Sequence, residues 1–396
     1  MSAPPSNTEL VARVRAAFQR EFGGTPVRVF FAPGRVNLVG AHLDYSGGDV
    51  LPLAVDRGVY VAAALLPDAR IRLRSLDQEG ALDLECGELG DHRRPGDGWA
   101  AYPLGVLAQF RARTGRSRGV AMLFGGDLPM ASGLSSSAAI ELATALAFDR
   151  LCDTGLTPLD LARLAHRAEN RYVGVQCGIM DQYASALGQD GKALLLHCRS
   201  EEVEHVPLDR SLFEILVMDT RKPRTLASTG FNQRVRECAD ALAVLRTRLR
   251  PEPCLAAYEV GDLADARLVL QAAHFRRFRH VVTEQVRVAA AVECLRRGDV
   301  RGFGAQLDAS HASSRDDYEV SCPELDLITA AARACPEVFG ARLVGGGFGG
   351  CAIALIRPGS AARVEEQVAA RYRQGFGVAP AFYVLHAGAG PREVTP

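Results

Sequence analysis

Residues 128–142 read LPMASGLSSSAAIEL and place a glycine and three consecutive serines directly before a run of strong helix formers. This order predicts a tight loop that opens into a helix. The free N–H groups and the positive end of the helix dipole make such a helix start an anion site. One serine would suffice as a helix cap. A run of three, Ser135, Ser136 and Ser137, makes phosphate binding as strong an interpretation as simple capping.

The composition is that of an ordinary globular protein. The chain has 396 residues, which is long for one core and predicts two domains. Lys plus Arg and Asp plus Glu both number 46, so no basic field indicates nucleic acid. The ten cysteines form no C-x-x-C pair, which favours a reducing compartment over a disulfide framework or a zinc site. Because no apolar signal core or membrane-length apolar run is present, we expect a cytoplasmic protein.

Polar side chains follow the first predicted strand. Residues 27–32 (VRVFFA) are apolar enough for a strand, which the Pro-Gly pair at 33–34 should interrupt. The residues that follow mix polar side chains with glycines and do not alternate as a plain strand would. We therefore expect Arg35, His42 and Asp44 to form a polar cluster on loops beside a sheet. A structural ion pair between Arg35 and Asp44 is the alternative.

Two carboxylates stand out in the middle of the chain. Thr157 and Pro158 predict the start of a helix, which carries Glu169 near its end among arginines. A solvated ion pair is the usual interpretation of such a glutamate. Asp181 lies shortly afterwards in CGIMDQY (177–183), which has no other charge. A carboxylate in that setting is a candidate general base, and a helix cap is the alternative.

The second half of the chain combines strands with long helices. A buried strand is predicted at 213–218 and a long helix at 229–249. Further helical segments occupy 262–335, and the alternation of their charges predicts exposed faces. The stretch ARLVGGGFGGCAIAL (341–355) contains G-x-G-x-x-G, but a strand follows it where a dinucleotide site needs a helix. A structural turn between strands is the better local interpretation.

Four motifs in this order resemble those of the GHMP small-molecule kinases, and most closely the galactokinase branch. They are GRVNLVGAHLDY at 34–45, LPMASGLSSSAA at 128–139, CGIMDQY at 177–183 and GGGFGGC at 345–351. The resemblance implies a two-domain α+β fold, with a ribosomal S5 domain 2-like N-terminal half (1–207), a ferredoxin-like C-terminal half (208–396) and the active site between them. It also implies ATP and Mg²⁺. We further expect a monomer or weak homodimer that acts on a small sugar, with no nucleic-acid or membrane partner.

The resemblance implies roles for residues at matching positions. Asp181 would take the proton of the sugar's anomeric hydroxyl, and Arg35 would hold Asp181 ionised and stabilise the transferring phosphoryl charge. Ser137 and Glu169 would bind the metal. The sugar would contact Ala41, His42, Asp44, Gly178 and Phe231, and the nucleotide would contact Gly133, Leu134, Ser135, Ser136, Ser137, Gly346 and Gly347.

Three positions depart from the galactokinase pattern. Galactokinases typically carry a glutamate before the histidine, where it contacts the sugar's 6-hydroxyl, and this chain has Ala41. The family's Thr and Tyr are replaced by Leu43 and Phe231. Galacturonate carries a carboxylate at C6, which glutamate would repel and alanine would admit, so Ala41 favours galacturonate over galactose. The candidates for a counter-charge, unless they form an exposed turn, are Arg221, Lys222 and Arg224.

Two alternatives belong to other classes of protein. A non-catalytic sugar and ATP sensor would not need to keep both the base Asp181 and the metal ligands. A serine hydrolase would need G-x-S-x-G, which the serine run lacks because position 137 is serine.

Overall fold

The structure is a computed structural model that describes residues 7–23, 26–115, 118–128, 133–222 and 227–394. Within these ranges, no helix is both long enough and apolar enough to cross a membrane. The N-terminal half consists of helices α1 (Asn7–Phe22), α2 (Ala101–Thr114), α3 (Ser136–Cys152), α4 (Pro158–Arg167) and α5 (Met180–Ala186) and strands β1 (Arg28–Val39), β2 (Asp49–Leu65), β3 (Arg70–Ser75), β4 (Leu82–Glu85), β5 (Val120–Gly126), β6 (Lys192–His197) and β7 (Glu202–Pro207).

The C-terminal half continues with both element types and contains the two longest helices of the described residues, Ala227–Arg248 and Ala272–Arg296. The helical segments predicted at 262–335 are present. The half consists of helices α6 (Ala227–Arg248), α7 (Leu263–Val269), α8 (Ala272–Arg296), α9 (Val300–Asp316), α10 (Pro323–Arg333) and α11 (Ala361–Phe376) and strands β8 (Glu214–Asp219), β9 (Val338–Leu343), β10 (Cys351–Ile356), β11 (Ala381–Leu385) and β12 (Arg392–Glu393).

The strands form two separate sheets, so the predicted mixed α+β fold is confirmed. The first sheet has the order β12-β1-β2-β5-β3-β4, with β6 and β7 attached through β2. The second is a four-stranded antiparallel sheet in the order β11-β8-β10-β9. The proposed boundary at 207/208 falls between the two sheets, but the chain's last strand, β12, returns to the first sheet and pairs with β1.

The expected break at the Pro-Gly pair is wrong. Strand β1 continues through Pro33 and Gly34 and absorbs them in a register shift between Pro33 and Arg35. An irregularity of this kind tolerates proline because the missing N–H interrupts the ladder only locally. Opposite Pro33 lies Gly58, where a Cβ atom would be only 2.2 Å from the Ala32 carbonyl oxygen. Arg35 therefore projects from a strand and not from a loop.

The charges of the 262–335 helices are only partly exposed, which corrects the prediction. On α8, Arg277, His280 and Glu284 are buried. Charged groups are tolerated inside a protein when they pair with each other and with backbone groups. Here Arg277 pairs with Glu237 at 2.6 Å, so charge alternation along α8 does not mean a solvated face.

Candidate active site

Arg35 and Asp181 form a bidentate ion pair. Arg35 Nε donates to Asp181 Oδ1 at 2.7 Å, and Nη2 donates to Oδ2 at 2.8 Å. Arg35 is only 5% exposed, on β1, and Asp181 lies in the first turn of α5. Two parallel hydrogen bonds fix the plane of a carboxylate more firmly than one bond would. Arg35 thus pairs with Asp181, and the alternative of a structural pair between Arg35 and Asp44 has no hydrogen bond to support it in the described residues.

The serine loop meets the same ion pair. Gly133 and Ser135 both adopt left-handed backbone conformations, with φ of 78° and 56°, and α3 begins immediately afterwards. The Ser135 hydroxyl donates to Asp181 and does not cap α3. Arg35 anchors the loop, because its Nη1 donates to the Gly133 carbonyl oxygen and its N–H donates to that of Leu134 at 3.0 Å. Residues 129–132 of the predicted motif lie outside the described residues.

Glu169 is buried, which corrects the expectation of a solvated ion pair. It lies in a π-helical turn after α4 and is 6% exposed. Gln182 Nε2 donates to Glu169 Oε2 at 2.6 Å and to Glu141 Oε2 at 3.2 Å. Burial raises the pKa of Glu169 to about 7, the nearby charge of Asp181 adds to this effect, and a hydrogen bond with Ser137 opposes it.

Ser137 and Glu169 together suit a magnesium ion. Mg²⁺ prefers oxygen ligands and is usually held by one or two carboxylates together with substrate phosphates. A buried carboxylate beside a hydroxyl at a helix start offers this donor set. No cluster of three His, Cys, Asp or Glu side chains suited to a metal occurs in the described part of the chain. Phosphate oxygens would therefore have to supply further ligands.

Asp44 and Gly178 pack directly against each other. A Cβ atom at position 178 would lie 2.2 Å from Asp44 Oδ2, so the close approach requires glycine. Burial, together with the nearby charge of Asp181, raises the pKa of Asp44 to about 6. Asp44 is thus a carboxylate held close to a second one inside the protein.

His42 is a neutral group with one fixed ring nitrogen. Burial lowers its pKa to about 3, and the charges of His280 and Arg342 act in the same direction. Its Nδ1 lies 2.8 Å from the Tyr45 hydroxyl. The Phe231 ring lies 5.7 Å from the His42 ring, centroid to centroid, so the C-terminal half contributes an apolar surface beside this histidine.

A cavity of about 630 Å³ lies between the two halves and brings most of the predicted site together. Three predicted residues do not line it: Leu134, Gly178 and Gly347. Leu134 is buried, and Gly347 packs on Val320, whose carbonyl oxygen would lie 2.2 Å from a Cβ atom there. The lining includes Arg35, Ala41, His42, Asp44, Gly133, Ser135, Ser136, Ser137, Glu169, Asp181, Phe231 and Gly346.

A second cavity, of about 460 Å³, opens on the other side of the serine loop. It shares Tyr102, Ser136 and Ser137 with the first cavity. Trp99, the only tryptophan of the chain, lines it and packs edge-on against Phe124. An aromatic ring can pack against a planar base, and the helix start beside it favours anions. The cavity therefore suits a planar base linked to phosphates.

The late glycine run is both a turn and part of the site. It connects β9 to β10, as expected locally, and Gly345 and Gly346 line the larger cavity. Gly345 and Gly347 have φ of 71° and 77°, which few side chains tolerate. The backbone therefore reaches the cavity without a side chain in the way.

Three basic residues are the candidates to balance a sugar carboxylate. The two that the structure describes do not line the cavity. Arg221 is exposed, with φ of 60°. Lys222 pairs with Glu324, its Nζ lying 2.7 Å from Oε2. Neither residue lines the cavity. Arg224 lies outside the described residues.

Several residues at the site were not predicted. Trp99 and Tyr102 line the cavities, and the position of a lone tryptophan just before a helix was an available indication. Arg93 lines the larger cavity from the connection between β4 and α2. Gln182, next to Asp181 in sequence, orients Glu169 through a contact that no local pattern indicates.

Three protein-family profiles match the chain. They are "GHMP kinases N terminal domain" at residues 101–189, "Galactokinase galactose-binding signature" at 16–65 and "GHMP kinases C terminal" at 291–374. A mevalonate kinase structure, at 16% identity, shares the fold with a TM-score of 0.66. Fold, site and profiles together define the class: the chain is a GHMP kinase superfamily member.

Sequence relatives identify the family within this superfamily. The galactokinase of Exiguobacterium sibiricum is 38% identical over 385 residues, covering 95% of this chain and 96% of that protein. The human galactokinase is 37% identical, covering 98% and 97%. The crystal structure of Lactococcus lactis galactokinase complexed with galactose superposes with a TM-score of 0.93 at 35% identity, covering 97% of this chain and 100% of that one. The chain belongs to the galactokinase family, which confirms the resemblance.

Proposed function

We propose that this protein is an ATP-dependent sugar kinase that phosphorylates the anomeric hydroxyl of D-galactose. The observation that carries the proposal is the Arg35–Asp181 pair, which lies in one cavity with the serine loop. Full-length relatives named galactokinase support the choice of sugar. A non-catalytic sensor is not favoured, because the cavity walls contain both Asp181 and Glu169.

In this proposal, Asp181 accepts the proton of the anomeric hydroxyl. The oxygen of that hydroxyl attacks the terminal phosphorus of ATP, and the bond between this phosphorus and the ADP oxygen breaks. Two hydrogen bonds from Arg35 hold the carboxylate in place, so its contribution is orientation as much as basicity. Arg35 lines the cavity, so its guanidinium charge would also stabilise the negative charge that accumulates on the phosphoryl oxygens. Positioning and charge neutralisation are the main requirements of phosphoryl transfer.

The nucleotide would occupy the second cavity, with its base near Trp99 and its phosphates at the start of α3. The N–H groups of a helix start and the serine hydroxyls are suited to phosphate oxygens. Ser137 and Glu169 would hold Mg²⁺, which when bound neutralises phosphate charge. Asp44 and His42 would hydrogen-bond sugar hydroxyls in the larger cavity.

D-Galacturonate is a second candidate substrate, and one observation favours it. Ala41 lines the cavity at the position where galactokinases typically carry glutamate, so no carboxylate at position 41 would repel a sugar acid. One observation weighs against galacturonate: neither Arg221 nor Lys222 lines the cavity, so neither would balance the charge of its carboxylate.

A substrate panel tests the proposal. ADP release is measured with D-galactose, D-galacturonate and N-acetylgalactosamine, and the phosphorylated carbon is identified by ³¹P NMR. We expect turnover of galactose and a phosphate on the anomeric oxygen. Turnover of galacturonate alone would favour the second candidate, and no turnover of any sugar would overturn the proposal.

We also propose a cytoplasmic enzyme that is a monomer or weak homodimer. The ten free cysteines suit a reducing compartment. Sedimentation equilibrium would measure the oligomeric state, and a tight dimer or larger assembly at micromolar concentration would contradict this part of the proposal.

A further inference from the structure

Helix α8 of the C-terminal half holds the backbone of Ala41. Glu284 Oε1 accepts hydrogen bonds from the N–H groups of Gly40 and Ala41, each at 2.9 Å. His280 Nε2 donates to the Ala41 carbonyl oxygen at 2.9 Å. Both backbone polar groups of Ala41 therefore bind side chains that belong to the other half of the molecule.

The same helix also holds the far end of the loop that follows. Gln285 Oε1 accepts from the N–H of Asp49 at 2.8 Å, and its Nε2 donates to Asp49 Oδ2 at 2.8 Å. On the near side, Arg342 Nη1 donates to the Leu38 carbonyl oxygen at 3.0 Å. Side chains of α8 and β9 thus hold the chain at both ends of segment 40–49, the sugar loop.

The two groups that hold Ala41 are themselves fixed. Ser310 Oγ donates to Glu284 Oε1 at 2.6 Å, and Arg287 Nε donates to Oε2 at 2.6 Å. His280 Nδ1 lies 2.9 Å from Ser313 Oγ. Burial by itself raises the pKa of Glu284, but the nearby positive charges, led by that of Arg287, and the hydrogen bond from Ser310 together outweigh it, and the pKa lies at about 2. The group that accepts from the loop is therefore a carboxylate.

The loop needs such support because its backbone is unusual on both sides of Ala41. Gly40 has φ of 97° and His42 has φ of 58°. For a residue with a side chain, the left-handed region costs about 1 kcal/mol or more, so it persists where surrounding contacts impose it. A Cβ atom at position 40 would also lie 2.8 Å from the Asp49 carbonyl oxygen.

We infer that Glu284 and His280 are positioning residues for the sugar. Neither lines the cavity, but together they set the direction in which Ala41 and His42 face it. Sugar affinity and sugar selection at this site then depend on the C-terminal helix α8. This inference rests on the proposed function, because it concerns the sugar side of that site.

The test compares two polar variants with matched controls. Glu284→Gln removes the charge and His280→Gln removes the ring, and both side chains stay polar. The controls are Glu237→Gln, whose carboxylate accepts from Arg277 and Arg234, and His311→Gln, whose ring contacts Thr329 and Leu343. The KM for sugar, the KM for ATP, kcat and the melting temperature are measured for each.

We expect Glu284→Gln to raise the sugar KM about tenfold, as loss of a charge-assisted hydrogen bond would, with the ATP KM within about twofold. The controls should lower the melting temperature without this split. Equal shifts in both KM values, or an unchanged sugar KM, would overturn the inference. If Glu284→Gln does not fold, Ser310→Ala, which removes one donor to Glu284, gives the same comparison.

The wild-type protein separates the two proposals within one assay. If it phosphorylates no sugar of the panel, the proposed function fails and the inference with it. If the wild type is active and the sugar KM of Glu284→Gln and Ser310→Ala is unchanged, only the inference fails.

Discussion

Arg35 and Asp181 are 146 residues apart in the chain and are joined by two hydrogen bonds of 2.7 and 2.8 Å. One comes from the central sheet of the N-terminal half and the other from the short helix α5. The Ser135 hydroxyl binds the same carboxylate. The candidate base, the cation that orients it and the phosphate loop therefore form one connected group, and its parts can be tested separately.

Asp181→Asn should lower kcat by about 10²–10⁴-fold, because it removes the proton acceptor and keeps the shape of the side chain. Sugar binding, measured by calorimetry without ATP, should change only a few-fold. A control is Asp326→Asn, which alters a carboxylate bound to Ser321 away from the cavity. Turnover at the wild-type rate would rule Asp181 out as the base.

Arg35→Lys should lower kcat by about 10²-fold, because an ammonium group cannot make the bidentate contact that fixes the carboxylate. Arg210→Lys serves as the control, since it changes an exposed arginine that pairs with Asp190 on the surface. Steady-state kinetics of both variants provide the measurement. Equal rates for the two variants would show that the geometry of the guanidinium is not needed.

Asp44→Asn should stabilise the protein at neutral pH while weakening sugar binding. The pKa of Asp44 is raised from 3.8 to about 6 in the folded protein. The folded state therefore disfavours the charged form, and the stability falls as the pH rises from about 4 through about 6. The variant removes this loss, which is about 2–3 kcal/mol above pH 7.

Chemical denaturation at pH 4 and pH 8 measures this effect. The difference between Asp44→Asn and the wild type should be small at pH 4 and favour the variant at pH 8. A pH-independent difference would contradict the raised pKa of Asp44, and an unchanged sugar KM would contradict its contact with the sugar.

Ala41→Glu should shift the ratio of kcat/KM for galactose to that for galacturonate by about tenfold or more toward galactose, because it adds a negative charge facing the cavity. Ala41→Gln is the matched control, since it adds the same bulk without the charge. It should affect the two sugars nearly equally. A ratio that is the same for Glu and Gln would mean that charge at position 41 does not select the sugar.

Much of the fold and the composition of the site follow from local patterns. Apolar spacing located most helices and strands, and Thr157 with Pro158 marked the start of α4, where Thr157 Oγ1 accepts from the Asp160 N–H. Ordered motifs identified the serine loop and the candidate base. The sequence-based predictions were wrong where one local pattern is compatible with two structures. Pro33-Gly34 was absorbed inside a strand, and Glu169, expected in solvent, is buried.

The sequence by itself determined which chemical groups the protein carries and in what order, because helix starts, turns and glycine runs depend on neighbouring residues. The tertiary structure alone decided which groups meet. Asp181 binds Arg35 across 146 residues, and Glu284 binds the N–H of Gly40 across 244 residues. Burial and pairing of charges depend on such distant partners. Tertiary packing therefore sets the burial of Glu169, the hold on Ala41 and the geometry of the proposed base.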